Sequence, residues 1–203
     1  WLDEHWGATG KPEEFISSNA PVNASVLGNT DAGGYCASEA GIDRLIMQLP
    51  LYDANALVCS FMAMIHSGGC VIQLDRFHPS QWWDLVRQSK ATIVHYLGVM
   101  PAILLGLPEQ DSDDFSAQIK FGFGAGADLK HQKIFEERFG FPLIEAWSMT
   151  EVGAAAIACA NHEPRYPGHR CFGQFAPGVE FCLVNESGDA VAREEPGELL
   201  VRR

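Results

Sequence analysis

Among the residues whose type and spacing can do chemistry, the Gly-rich stretch Gly122-Phe123-Gly124-Ala125-Gly126-Ala127 stands out first. It lies between an apolar run and a helical run, where small residues let backbone amides and the positive end of a helix come close to a ligand. That placement favours a nucleotide or another anion. The same residues also satisfy the pattern GxGxxA, with Glu145 about where a dinucleotide fold keeps its ribose acid, so an NAD(P)-dependent oxidoreductase is one reading. A tight strand-to-helix turn that simply needs small residues is another. Cys159, His162, His169 and Cys171 fall close together, but their spacing matches no standard zinc pattern. His66, His95 and His131 occur singly, as structural histidines do.

These residues need elements to hold them. Residues 1 to 40 are rich in Gly, Ala, Ser and Asn and show little periodicity, whereas the chain beyond "GIDRLIMQLPLY" alternates strand-like and helix-like runs. Helices are expected over Asn55 to Ser67, Pro79 to Ser89 with its proline in the first turn, and Val99 to Leu105. A further helix is expected from an Asp128 cap to Phe139, stopped by Gly140. Strands are expected at Cys70 to Leu74, Ala91 to Tyr96, Gln118 to Phe123 and from Pro142 through "PLIEAW". Trp82 and Trp83 read as a buried and a half-buried pair, and "KHQKIFEERFG" as a solvated helix face. Repeated strand–helix–strand units imply an α/β fold with a largely parallel sheet flanked by helices, covering residues 1–163. From residue 164 to 203 the character changes to short alternating runs, "VEFCLV" and "GELLVR", around the turn signal "NESGDA", which reads as a hairpin starting a smaller β subdomain. The chain stops at Arg203 on what reads as strand interior, as a piece of a longer polypeptide would.

Composition narrows the partners. The 203 residues carry 14 Lys plus Arg against 26 Asp plus Glu, a formal net charge of -12 that repels nucleic acid and anionic membranes. At 47% hydrophobic and 20% charged the chain is too apolar for intrinsic disorder. The longest apolar stretch, Ala56 to Ile65, is too short to span a bilayer, and residues Trp1 to Trp6 show no secretory pattern. A cytoplasmic location is expected, and six cysteines without a CxxC pair fit buried, reduced thiols.

Specificity comes from "EAWSMTEVG", in which Trp147-Ser148-Met149-Thr150-Glu151 resembles the aromatic-Gly-x-Thr-Glu signature of the adenylate-forming superfamily of acyl-CoA synthetases, luciferases and peptide-synthetase adenylation domains. Three more segments follow the family's order. "PGHRCFGQFAPGVEFCLVNESGDAVAREEPGELLVR" resembles the stretch leading into the family's Gly-Glu-Leu, and "QLPLYDANALVCSFMAMIHSGG" resembles its PLFH segment and following helix. "GATGKPEEF" resembles the phosphate loop TSGTTGxPK, so Gly7, Thr9, Gly10 and Lys11 are expected around the phosphates.

The resemblance implies roles for particular residues. Trp147, in the aromatic position, would stack on adenine, with Ser148 and Met149 beside it. Gly124, Ala125, Gly126 and Ala127 would form the loop that meets adenine and the acyl group. Thr150 would donate its hydroxyl to a phosphate and Glu151 would hold Mg2+. The implied reaction is attack by a substrate carboxylate on the α-phosphate of ATP, followed by transfer of the acyl group to the thiol of CoA or of a carrier protein's phosphopantetheine. Tyr96, Leu97 and Met100, in "VHYLGVMPAILL", would floor an acyl pocket, or simply pack in the core. Asp53 takes the place of the acyl-CoA synthetases' His, as in adenylation domains that pair an Asp with an amino-bearing substrate; a solvated cap ahead of "ANALVCSF" is the other reading.

Departures from the family pattern are informative. Trp6 and Ala8 stand where hydroxyls are usual, and Glu13 stands where a Lys is usual. A carboxylate beside a triphosphate adds repulsion. The chain also ends before the family's ribose-binding Asp, hinge and C-terminal Lys. Two readings remain: part of an active ligase, not active alone, or a catalytically silent relative that binds or scaffolds.

Overall fold

The computed structural model describes residues 2–5, 13–16, 41–53, 55–149, 153–157, 164–176 and 178–202. Strand β1 (Leu2–His5) pairs antiparallel with β2 (Glu13–Ile16), His5 opposite Glu13, so residues 6–12 connect the arms of a hairpin.

Runs rich in β-branched and aromatic residues form the main sheet: β3 (Arg44–Met47), β4 (Cys70–Gln73), β5 (Ile93–Leu97), β6 (Phe121–Ala125) and β7 (Leu143–Met149). In the order β4-β3-β5-β6-β7 these strands are all parallel, the α/β arrangement expected from the alternation. Two antiparallel strands, β8 (Gly153–Ile157) and β9 (Gln174–Phe175), extend the sheet beyond β7. A separate antiparallel pair, β10 (Glu180–Val184) and β11 (Glu198–Arg202), follows. Its connection is longer than a hairpin turn at "NESGDA": that segment closes a local turn and bridges Val184 to Ala190 before β11 begins. The order places β3 between its successor β4 and β5. This is a topological switch point, where the carboxyl ends of neighbouring strands open a crevice.

Helices cover both faces. A π-helical segment (Asn55–Met62) runs into α1 (Ala63–Ser67), and a 3-10 turn (Pro79–Gln81) into α2 (Trp82–Ser89); α3 (Val99–Leu105) and α4 (Leu129–Phe139) complete the set. As expected, Asp128 caps α4 by accepting from Lys130 N, and Gly140 ends it at a φ of 77°, a left-handed conformation that glycine adopts without Cβ strain. Among the described residues no helix is long and apolar enough to cross a membrane.

Alternation along each strand divides the core. Leu45, Ile93, Phe121, Phe123 and Ile144 face Cys59, Ala63 and Met64 on one side. Ile46, Val94 and Tyr96 face α2, α3 and α4 on the other, around Trp82, Trp83 and Phe135. Trp82 and Trp83 are both buried, which corrects the half-buried expectation for one of them. The strand expected from Gln118 starts only at Phe121. Gln118 instead donates its side-chain amide to the carbonyls of Val86 and Ala91, both at 2.9 Å, anchoring the turn to the end of α2. Of the four cysteines described, only Cys59 is buried, so the expectation of buried thiols holds there alone.

The amino-terminal edge of the sheet is tied by polar side chains. Asp43, buried just before β3, accepts from Thr92 Oγ1 at 2.8 Å and pairs with Lys120 Nζ at 3.0 Å, linking the starts of β3, β5 and β6. Arg44 Nε donates to Ser89 O at 2.8 Å, and Thr92 Oγ1 accepts from Arg44 N.

His95 projects from β5 into the core on the α1 side, fully buried, 6.0 Å from the Phe123 ring, with neither ring nitrogen hydrogen-bonded. Burial lowers its pKa from the ordinary 6.5 to about 4. Above pH 6.5 the ring is neutral folded and unfolded, so it adds no pH dependence. Below that the unfolded chain takes up the proton more readily, and stability falls as pH drops toward about 4. The full loss is on the order of 3 kcal/mol. Denaturant titrations between pH 7 and 4 are expected to show this loss in the wild type and a flatter profile in His95→Leu.

Candidate functional site

The carboxyl ends of β5, β6 and β7 bring the Gly-rich stretch and the Trp147 segment together. Register does most of the work: Tyr96 lies opposite Gly124, and Gly124 opposite Glu145, so the three residues form a row across adjacent strands on one sheet face. Because Gly124 has no side chain, the Tyr96 ring can lie across it. A Cβ there would run into the Tyr96 carbonyl oxygen and would also meet the ring's Cδ1 and Cγ at 2.8 Å. The Tyr96 hydroxyl then donates to Glu145 Oε1 at 2.7 Å.

Glu145 reaches the loop as well. Its Oε2 accepts from Gly126 N at 2.9 Å and its Oε1 from Ala127 N at 3.0 Å. The acid is buried, and the hydroxyl it binds stays protonated: burial, and then the Glu145 charge, hold the Tyr96 pKa well above its ordinary 10. This corrects two expectations. The Gly126 and Ala127 amides are directed at the chain's own carboxylate rather than at a ligand phosphate. Glu145, for its part, has its oxygens engaged by the loop and Tyr96, which removes the ribose partner from the dinucleotide reading.

Loop and helix also touch closely. Gly98, at the start of α3, lies against the loop so tightly that a Cβ would meet Gly126 O at 2.8 Å. The loop is thus held from beneath by Glu145 and Tyr96 and from the side by the α3 terminus.

Strand β7 leaves the core as it reaches this edge. Leu143, Ile144 and Glu145 are buried, Ala146 and Trp147 half-buried, and Ser148 and Met149 exposed. A register shift between Trp147 and Ser148 against β8 marks where the strand turns away. The Trp147 ring lies 6.1 Å from Phe172, inclined 32°, so its surroundings are aromatic and partly open. Thr150 and Glu151 lie outside the described residues, as do Gly7, Thr9, Gly10 and Lys11.

The other expected site residues are distributed differently. Tyr96 and Met100 lie in the core under α3 and α4, while Leu97, next along β5, points to the opposite face, so the three do not form one wall. Asp53 is a cap: its Oδ1 accepts from Asn55 N at 2.8 Å and Ala56 N at 3.2 Å at the start of the π-helical segment. Cys159 and His162 lie outside the described residues, and among the described residues no group of three or more His, Cys, Asp or Glu can hold a metal.

Sequence reasoning missed one residue of this edge and one contact. Tyr96 was expected at a pocket floor or in the core, and nothing in its spacing signals that its hydroxyl reaches Glu145, two strands away. Gln48, buried at the end of β3, points Nε2 at Met100 Sδ, 2.9 Å away, and leaves Oε1 without a partner.

The sequence model of AMP-binding enzymes matches residues 7–203. The chain belongs to the AMP-binding enzyme family. Among curated members, sulfoacetate–CoA ligase from Cupriavidus necator is 29% identical over 200 residues, covering 97% of this chain and 37% of that protein. Indoleacetate–CoA ligase from Aromatoleum aromaticum is 24% identical, covering 97% and 38%. ATP-bound MatB from Rhodopseudomonas palustris superposes with a TM-score of 0.86 at 21% identity, over 99% of this chain and 38% of its own, a likeness of fold. This AMP-binding family chain spans little more than a third of the length of these two ligases.

Proposed function

We propose that the chain forms the nucleotide- and acyl-binding core of an acid–thiol ligase. The substrate carboxylate oxygen attacks the α-phosphorus of ATP, the bond to the bridging oxygen breaks, and pyrophosphate departs, leaving an acyl-adenylate. A thiolate of CoA, or of a carrier protein's pantetheine, then takes the acyl group and AMP leaves. Such steps need positioning and charge stabilisation more than covalent help from the protein. The observation that carries this reading is the convergence of the Gly-rich loop and the emerging Trp147–Met149 segment at the carboxyl edge of a parallel sheet, in a chain matched almost throughout by the AMP-binding family.

Roles follow from position. Trp147, half-buried beside Phe172, offers a face for adenine; the clamped loop Gly124 to Ala127 sets the edge against which adenine and the acyl group rest. Thr150 and Glu151, next along the chain, serve the phosphates and Mg2+. Magnesium, when bound, neutralises phosphate charge, and a single protein carboxylate suffices because phosphates and water supply its remaining oxygens. With Asp53 Oδ1 spent on capping, the substrate is proposed as a small carboxylic acid that needs no amino group, in keeping with the sulfoacetate and indoleacetate of the relatives' names.

Calorimetric titration with ATP, AMP and NADH, each with magnesium, tests the reading. Wild-type chain is expected to bind ATP in a magnesium-dependent way and to ignore NADH. Glu151→Ala is expected to weaken ATP binding by about tenfold or more while sparing AMP. A folded chain that binds neither ATP nor AMP would move the assignment to a silent relative, consistent with Glu13 in place of the phosphate-loop Lys.

A further inference from the structure

We infer that Glu145 and Tyr96 are positioning residues that hold the Gly-rich loop in its nucleotide-accepting shape, with the Glu145 carboxyl group occupying the place before the loop amides that a ligand anion would take. The inference rests on the proposed nucleotide site for its functional consequence, and on geometry alone for the clamp.

Three observations converge. The loop runs from the end of β6 to the Asp128 cap of α4 and includes Gly126 at a φ of 77°, a conformation most residues avoid, so the loop has little intrinsic preference for its observed path. Its Gly126 and Ala127 amides both end on one buried carboxylate. That carboxylate is in turn held by the Tyr96 hydroxyl, which donates to Oε1 at 2.7 Å and lies 3.1 Å from Ile144 O.

The row Tyr96–Gly124–Glu145 explains why each member is of its type. A shorter acid would not span from β7 to both loop amides. A side chain at position 124 would lift the Tyr96 ring off the strand, and a Phe at 96 would leave Oε1 without its strongest donor. Charge matters as well as shape. Successive N–H groups converging on a point form a nest that favours an anion, and in water such a nest recruits whatever anion is at hand. Here the nest is filled from within. A nucleotide therefore meets the outer surface of a loop already ordered, and no ordering entropy is left to oppose binding. The loop's selectivity for adenylate over free phosphate follows from the same fact, because the amides that would attract phosphate are committed.

Glu145→Gln and Tyr96→Phe in the full chain test this, with two readouts: hydrogen exchange at the Gly126 and Ala127 amides, and calorimetric affinity for AMP. Glu145→Gln keeps the volume but sets an amide donor against loop N–H donors. It is expected to raise exchange at both amides by at least about tenfold while the β5–β6 ladder keeps its protection, and to weaken AMP binding by about tenfold. Tyr96→Phe is expected to do both by a smaller factor, about threefold. Should Glu145→Gln fail to fold, Tyr96→Phe decides. Lower melting temperatures with unchanged exchange and unchanged AMP affinity would overturn the inference, leaving both residues merely structural. If wild-type chain binds no AMP, the nucleotide assignment fails, and the exchange measurement still decides whether the clamp exists.

Discussion

Arg138→Ala is expected to destabilise the chain by about 3–5 kcal/mol, read as a shift in the denaturant midpoint at constant slope. Arg138, near the end of α4, is mostly buried, and its guanidinium is fully used. Nε donates to Asp113 Oδ2 at 2.8 Å and Nη2 lies 2.7 Å from the same oxygen. Nη1 donates to Leu105 O at 2.9 Å, and Nη2 to Leu107 O and Pro108 O at 3.1 Å. One side chain thus gathers the carboxyl end of α3 and the loop behind it onto α4, and its stem and head lie over the Phe139 ring, 4.8 Å from the centroid. Truncation leaves Asp113 buried with only Gln110 N at 3.2 Å as a donor, and leaves three carbonyls short of theirs. Arg138→Lys is expected to recover little, because an ammonium cannot reproduce the fork. The double variant Asp113→Asn, Arg138→Ala is expected to cost less than the sum of the single changes, since removing the stranded charge removes much of the penalty. An additive double variant would mean that the carbonyl contacts, not the charge pair, carry the effect.

Trp83→Ala is expected to cost a similar amount, about 3–5 kcal/mol, for a different reason. Its indole is the centre of an aromatic cluster, 4.5 Å from Phe115, 4.4 Å from Phe139 and 6.3–6.4 Å from Phe135 and Phe141. Neighbours drawn from α4, from the turn after it and from the connection between α3 and β6 cannot collapse together into the space without moving the sheet, so a cavity persists. Nε1 of Trp83 is buried with no hydrogen-bond partner, so the indole contributes area and not polarity. Trp83→Phe should therefore retain most of the stability, losing less than half of what Ala loses. Equal losses in Phe and Ala would point to an acceptor for Nε1 and would refute the argument.

How far these features could be read from residues alone depends on whether they are local. The ends of helix α4 were legible to the residue, because Asp128 and Gly140 carry them, whereas the run that read as a solvated face buries Gln132, Phe135 and Phe139. The parallel strands β4 to β7 were legible as apolar runs, with small shifts where a side chain such as Gln118 took the backbone away from the ladder. Strand β8 was not legible: "GAAAI" has weak strand propensity and no alternation, and it owes its conformation to pairing with β7. At the candidate site, glycine spacing and the Trp147 segment pointed to two stretches that the strand register brings together at the carboxyl edge of the sheet. The clamp was invisible, because Tyr96 and Glu145 are 49 positions apart and meet only through a register that crosses three strands. Asp53 shows the converse. Its cap bonds reach only two and three residues ahead, so the local rule for a helix cap was enough to anticipate them.

The ties at the amino-terminal edge of the sheet have a further meaning for how this chain can change over time. Asp43, Thr92, Lys120 and the Arg44–Ser89 contact hold the strand starts together at the end opposite the Gly-rich loop. Because that fastening shares no residue with the loop or with the Trp147 segment, residues at the carboxyl edge can be exchanged without loosening the strands that carry them. The proposed site and the strand ties are thereby placed on separate mutational accounts, and exposed side chains at one end of the sheet can vary while the other keeps the scaffold intact.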